Sequence, residues 1–98
     1  MVEQGDIIRV PNIDFPLLVI SRTLYNKTGK ALVCPIVRNA GDATLTVEID
    51  TASVSGFVCC DNPKRLDLAS RGYSPKGRIP LAQLIVVLDM VQSLIDYI

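Results

Sequence analysis

The residues able to do chemistry are few, and the absent types narrow the options first. The chain has no histidine, which removes the usual general base and the commonest metal ligand. It carries no glycine-rich phosphate loop and no nucleophile elbow. The three cysteines, Cys34, Cys59 and Cys60, are odd in number; two are adjacent and none has metal-ligand spacing. They read as reduced, mostly buried thiols of a cytosolic protein. Any catalysis therefore falls to carboxylates, arginines, lysines, tyrosines or backbone groups, with no metal and no cofactor expected.

Charge is the next signal. Lys plus Arg and Asp plus Glu both total 10, a formal charge of zero, which argues against strong non-specific DNA binding. The charges are unevenly spread. From Arg22 to Arg38 there are Arg22, Lys27, Lys30 and Arg38 and no acid; from Lys64 to Arg78 there are Lys64, Arg65, Arg71, Lys76 and Arg78 against Asp67 alone. Brought to one face, these stretches would hold a short polyanion; spread over loops, they are ordinary solvated charges. Between them lies Asp61-Asn62-Pro63. An isolated Asp-Asn-Pro commonly makes a turn that the aspartate caps.

The elements that must position these groups centre on two apolar runs, Pro16-Leu-Leu-Val-Ile-Ser21 and Ala31-Leu-Val-Cys-Pro-Ile-Val37. Each has the length of a strand and is too continuous to be half exposed, so both read as strands buried on two faces. The polar stretch Thr23 to Lys30, with Asn26, Thr28 and Gly29, reads as their hairpin loop. Ile7 to Val10 is a short strand, and Pro11-Asn12 turns the chain. Thr44 to Ile49 alternates polar and apolar, and Gly56 to Cys60 is another buried strand. Lys64 to Leu68 is a strand or short turn-like piece, Ala69 to Gly72 a turn, and Tyr73 to Arg78 an edge strand at best, given Pro75 and Gly77. Pro80 is placed to open a helix from Leu81 to about Tyr97, with Leu81, Leu84, Ile85, Leu88, Val91 and Leu94 recurring at three and four spacing. At 98 residues this is one domain, a barrel of about 1–79 and a helix of about 80–97. The fold expected is all-β with a C-terminal helix (α+β), a small SH3-like antiparallel barrel. Residues are 49% hydrophobic, more than so small a domain easily buries, which points to a homodimer. The apolar run Leu84 to Leu88 is far below the roughly 20 residues of a membrane span, and no signal peptide precedes Gly5.

These residues together form a pattern. Gly5-Asp6-Ile7-Ile8, Pro16 to Ser21, Tyr25-Asn26, Cys34-Pro35-Ile36, Gly56 to Leu68 and Arg71-Gly72 resemble the PemK/Kid/MazF toxins of type II toxin–antitoxin pairs. The stretch Cys60-Asp-Asn-Pro-Lys-Arg-Leu-Asp67 resembles the Cys-Asp-Gln-Pro-Arg-Thr-Ile-Asp motif of the Kid branch. The resemblance implies a PemK/MazF/CcdB-type barrel that dimerises. It implies metal-independent cleavage of single-stranded mRNA by 2′-hydroxyl attack, and a cytoplasmic antitoxin partner whose tail blocks the RNA groove. It implies Asp61 as the base, and Asn62, Lys64, Arg65 and Arg71 as RNA contacts.

The departures from the pattern are as informative. The long first loop of the family shrinks here to Pro11–Phe15. Phe15 stands where the family has an arginine before the Pro-Leu-Leu-Val-Ile strand, Val37 where it has a hydroxyl residue, and Cys59 where the Kid branch has its acid, an arginine. Arg38, directly after Val37, is the cation positioned to take over at the phosphate. The alternative expectation is a scaffold that binds an antitoxin-type peptide or RNA without cleaving it. A CcdB-like gyrase poison is less favoured, because the chain has no tryptophan and ends Ile95-Asp-Tyr-Ile98.

Overall fold

The computed structural model describes residues 1–41 and 45–95. The chain runs β1 (Asp6–Arg9), β2 (Leu17–Val19), α1 (Thr23–Asn26), β3 (Lys30–Val37), β4 (Thr46–Asp50), β5 (Ser55–Cys59), β6 (Lys64–Asp67), α2 (Leu68–Arg71), β7 (Ser74–Arg78) and α3 (Leu81–Ser93). The strands form a curled antiparallel sheet in the order β4-β5-β3-β2-β1-β7, with β6 also paired to β3. The expected all-β fold with a C-terminal helix is what forms.

β3 is the spine. One edge pairs with β2 through Leu17–Pro35, Leu18–Cys34 and Val19–Val33. The other edge is shared: Lys30 to Val33 pair with β6, and Ile36 and Val37 pair with β5. From Val33 to Ile36 the strand is buried on both faces, as expected of a continuous apolar run; before that it alternates, with Lys30 and Leu32 exposed, so burial on two faces holds only for its second half. Cys34 and Ile36 join Ile7, Leu18, Ile49, Val58, Cys60, Leu84 and Val87 in one core. Ala31 and Val33 join Val2, Ile8, Leu17, Val19, Leu66 and Leu68 in a second. Each fully buried Ile, Leu or Val contributes about 1.5–3 kcal/mol, so the alternation of side chains along one strand ties both cores to it.

The connection between β2 and β3 is not a plain hairpin loop. Residues Thr23–Asn26 wind into one helical turn because Asn26 is drawn inside. Its amide donates to the carbonyls of Val2 and Ser21, and its Oδ1 accepts from the Ser21 hydroxyl. The Ser21 Oγ in turn accepts from Leu32 N–H at 2.9 Å. Similarly, the turn expected at Ala69–Gly72 is a single helical turn over Leu68–Arg71, whose start is capped by Asp67 Oδ1 accepting from Ser70 N–H at 3.2 Å.

The edge strand β7 lies exposed beside β1, with a register shift between Ile7 and Ile8. In α3, Pro80 is the N-cap residue rather than the first helical one, and the helix ends at Ser93 instead of near Tyr97. Tyr97 itself, like Thr44 at the start of the expected fourth strand, lies outside the described residues. Leu84 and Val87 of α3 are buried, whereas Leu81, Ile85, Val86 and Leu94 are exposed. The apolar stripe read from the spacing is thus only partly used inside one chain. Among the described residues, no helix is long and apolar enough to cross a membrane.

Gly56 marks the tightest strand contact. Its φ is +157°, and a Cβ there would come within 2.5 Å of the Val37 carbonyl oxygen. Gly56→Ala is expected to cost about 1–3 kcal/mol, read as a lower urea midpoint with unchanged m-value. The thiols give a second test. Burial pushes Cys34 up from the ordinary 9.0 to about 12, reinforced by Cys60, Cys59 and Asp61; burial likewise pushes Cys60 up to about 11, reinforced by Cys59 and Asp61. The folded chain therefore holds protons that the unfolded chain releases above pH 9. Stability contributed by the neutral thiols is complete below that pH and is lost as pH rises toward 11 and 12. Denaturation curves between pH 8 and 11 check this, and a thiol reagent at pH 8 is expected to label Cys34 and Cys60 only on unfolding.

Candidate functional site

Backbone accounting along β3 creates the site's central feature. Ile36 N–H donates to Pro16 O and Leu32 N–H to Ser21 Oγ, both on the β2 side. By alternation, the nitrogen of Pro35 faces the opposite edge, where it has no hydrogen to give. That is where β3 changes partner. Between the pairs Val33–Lys64 and Ile36–Val58, β3 has only Cys34 and Pro35, but the facing chain has Cys59, Cys60, Asp61, Asn62 and Pro63. The surplus is looped out. Asp61, Asn62 and Pro63 thus form an exposed bulge beside Pro35, closed by Asn62 N–H donating to Cys59 O at 3.3 Å. No ladder donor is lost at this point, because Pro35 has no N–H.

Two clefts flank Phe15. The larger, about 420 Å³, is walled by Arg9 of β1, Asp14 to Pro16, Ile36 to Arg38 at the end of β3, and Ser53 to Ser55. The smaller, about 240 Å³, is lined by Ile13, Phe15, Leu17, Val33, Pro35 and Leu66, with Lys64 and Arg71. Phe15 belongs to both and remains 36% exposed.

The walls are held by local chemistry. Val10 O accepts from Ile13 N–H, and Asn12 takes φ +69°, giving a tight reversal between β1 and β2. That reversal brings the Asp14 carbonyl to the Arg9 guanidinium, which donates to it at 3.3 Å. The turn between β4 and β5 is closed by Thr51 N–H to Val54 O and by Val54 N–H to Thr51 Oγ1. It is pinned to β7 by the Ser53 hydroxyl donating to Lys76 O.

The cations named from sequence are thereby sorted. Arg38 lines the larger cleft, and Lys64 and Arg71 line the smaller one. Asp61 and Asn62 sit on the bulge between β5 and β6. Arg65 falls elsewhere: it pairs with Leu32, one residue out of phase with the Val33–Lys64 pair. Directly paired residues share a face, and successive residues alternate, so Arg65 lies on the opposite side of the sheet from Lys64. Arg78 is occupied by Glu3, at 2.9 Å, and by Asp6. Asp67, the one acid of that stretch, is spent on the α2 cap.

Arg9, Ser53 and Ser55 line the larger cleft, although sequence reasoning did not single them out. Arg9 carried a signal, being the charged member of the otherwise apolar strand Ile7-Ile-Arg-Val10; the serines carried none. Cys59 is buried, and burial and Asp61 push its thiol up, away from the thiolate form, so it does not stand in for the family's cation. Among the described residues, no group of three or more His, Cys, Asp or Glu side chains is arranged to hold a metal ion.

A search of curated proteins gives no match. Among solved structures, the chain is similar to the MazE-MazF crystal structure (Form-I) from Deinococcus radiodurans, at 28% identity over 96% of this chain and 95% of that one, with a TM-score of 0.86. It is similar to MazF (Form-I) from the same organism, at 27% identity over 96% of each chain, TM-score 0.82. It also shares the fold of an endoribonuclease from a mycobacterial species, at 17% identity over 96% of this chain and 90% of that one, TM-score 0.81. The family model for the PemK-like, MazF-like toxin of type II toxin-antitoxin systems matches residues 4–95. The chain belongs to that toxin family.

Proposed function

We propose that the chain is a metal-independent endoribonuclease acting on single-stranded RNA, with Asp61 as general base and Arg38 at the phosphate. The observation that carries this reading is the bulge. In sequence and register, an exposed carboxylate follows the last β3–β5 pair and precedes Lys64, opposite Val33, while Arg38 lies just beyond Val37; Asp61 lines neither of the two clefts, so its approach to the phosphate held by Arg38 is part of the proposal. Val33 and Arg38 are five positions apart, roughly 16 Å along an extended strand. An RNA strand laid along this edge would meet Arg71 and Lys64, then the carboxylate, then Arg38.

The chemistry needs no histidine. The Asp61 carboxylate takes the proton of the ribose 2′-hydroxyl while its oxygen bonds to the adjacent phosphorus. Arg38 stabilises the negative charge that develops on the non-bridging oxygens. The bond from phosphorus to the 5′-oxygen breaks, and that oxygen takes a proton from water. The products are a 2′,3′-cyclic phosphate and a free 5′-hydroxyl. Asn62, Lys64 and Arg71 hold the strand. Arg65, on the other face, would meet only RNA that wraps around the edge.

The partners follow from the same surfaces. An antitoxin with an acidic segment would occupy the cationic clefts and so exclude RNA; similarity to the MazE-MazF complex supports such a partner. Exposed Leu81, Ile85 and Val86 on α3 provide the apolar surface that a second copy of the chain would cover. One observation favours a second reading, a binder that does not cut: Phe15 and Val37 make part of the larger cleft apolar, and Cys59 carries no positive charge to stabilise a phosphate.

The experiment that decides is incubation of the purified chain with single-stranded RNA. Cleavage should persist in excess chelator and leave 2′,3′-cyclic phosphate ends. Asp61→Asn should lower the rate about 10²- to 10⁴-fold, and Arg38→Ala about 10²- to 10³-fold. Cleavage surviving both substitutions together would show that the roles are misassigned. No cleavage on long incubation, with antitoxin-peptide binding retained, would establish the non-cutting binder.

A further inference from the structure

The larger cleft holds two guanidinium groups, Arg9 from β1 and Arg38 from the end of β3. Arg9 donates to a backbone carbonyl, that of Asp14, rather than to a carboxylate. This differs from Arg78, which is bound by two acids. Asp14 also lines the cleft, so its charged residues leave one positive charge in excess, which a bound phosphate would balance. Guanidinium forks match phosphate oxygens in bidentate fashion. The cleft volume, about 420 Å³, is in the range of small-ligand sites, roughly 300–1,000 Å³, and suits one nucleotide. At its rim stands Phe15, part exposed, with its ring on the boundary with the neighbouring cleft. Aromatic rings so placed carry stacked bases whatever their sequence.

We propose that this cleft is a nucleotide subsite in which Arg9 and Arg38 clamp one backbone phosphate and Phe15 carries the adjoining base. The proposal rests on the reading of this face as the RNA path, and it assigns Arg9 a binding role beside the cation already considered. It also gives the short Pro11–Phe15 connection a purpose. The reversal at Asn12 folds Asp14 onto Arg9 and presents Phe15 between the clefts. A shortened loop thus places a cation from the neighbouring strand in the cleft.

The test uses a fluorescent single-stranded oligonucleotide with 2′-O-methyl sugars, which cannot be cut, titrated by anisotropy at several salt concentrations. Arg9→Gln is expected to weaken binding about tenfold and to lower the slope of log K against log salt by about 0.7, one phosphate contact on a single strand. Arg9→Lys should restore the slope while recovering only part of the affinity. Phe15→Leu should weaken binding at least about fivefold with no change in slope. A merely structural role for Arg9 would lower the folded fraction but leave the slope at the parent value, which overturns the proposal. So would an unchanged slope in a chain that still cuts RNA through Asp61, in which case the nuclease reading stands without this subsite. If native RNA is not cut but the slope falls as expected, the subsite stands and the nuclease reading fails. If the Arg9→Gln change weakens binding of a polyglutamate peptide and not of the oligonucleotide, the cleft belongs to an acidic peptide, and the nucleotide assignment is wrong.

Discussion

The partner change at Pro35 is the constraint on which the rest depends. A strand interior cannot normally tolerate a residue without an N–H, because a facing carbonyl would be left unpaired. Here the difficulty is avoided by ending β5 and starting β6 on either side of that residue. The surplus chain must then leave the ladder, and it leaves as Asp61-Asn62-Pro63. Pro63 suits this corner, since it too has no donor to waste. The exposed Asp61 thus lies in the connection that leaves the ladder where β3 carries Pro35.

Around that bulge, β3 does three jobs through its period of two. Cys34 and Ile36 fill the core under α3, and Ala31 and Val33 fill the core beside α2. The same alternation passes to β6 and separates Lys64 from Arg65. Charge is then sorted by the partners available. Arg78 fastens the edge strand to Glu3 and Asp6, and Asp67 fastens α2. Near Phe15, cations outnumber acids: Arg9, Arg38, Lys64 and Arg71 line the two clefts that meet there, with Asp14 as the carboxylate residue among their linings. A chain of zero formal charge thus has one face with a strong local preference for anions.

Much of this was readable from the chain itself, for physical reasons. The runs Pro16 to Ser21 and Ala31 to Val37 are apolar almost without interruption, which marks them as strands; burial on both sides holds for Leu17–Val19 and from Val33 to Ile36, while Leu32 is exposed. Pro75 and Gly77 correctly marked β7 as an edge. The one-turn helices α1 and α2 were less visible. Each depends on a single side chain finding a partner, Asn26 reaching Val2 and Asp67 reaching Ser70 N–H, and propensity over four residues carries little weight against such contacts. The end of α3 was read too late because apolar spacing continues past Ser93. The grouping of Lys64 with Arg65 treated adjacent residues as neighbours in space, which a strand forbids. Arg9 was passed over because a lone charge in a short strand does not reveal what the next strand brings to it.

On the proposed function, a threaded RNA would lie on the Val33–Pro35–Val37 side of β3, across the bulge and beside Phe15. NMR shift mapping of the full chain with an uncuttable single-stranded oligonucleotide tests this most directly. Perturbations concentrated at Arg9, Phe15, Val37, Arg38, Asp61, Asn62 and Lys64 are the predicted result. Perturbations concentrated instead at Leu32, Arg65, Leu88 and Val91, on the reverse of the sheet, would contradict it.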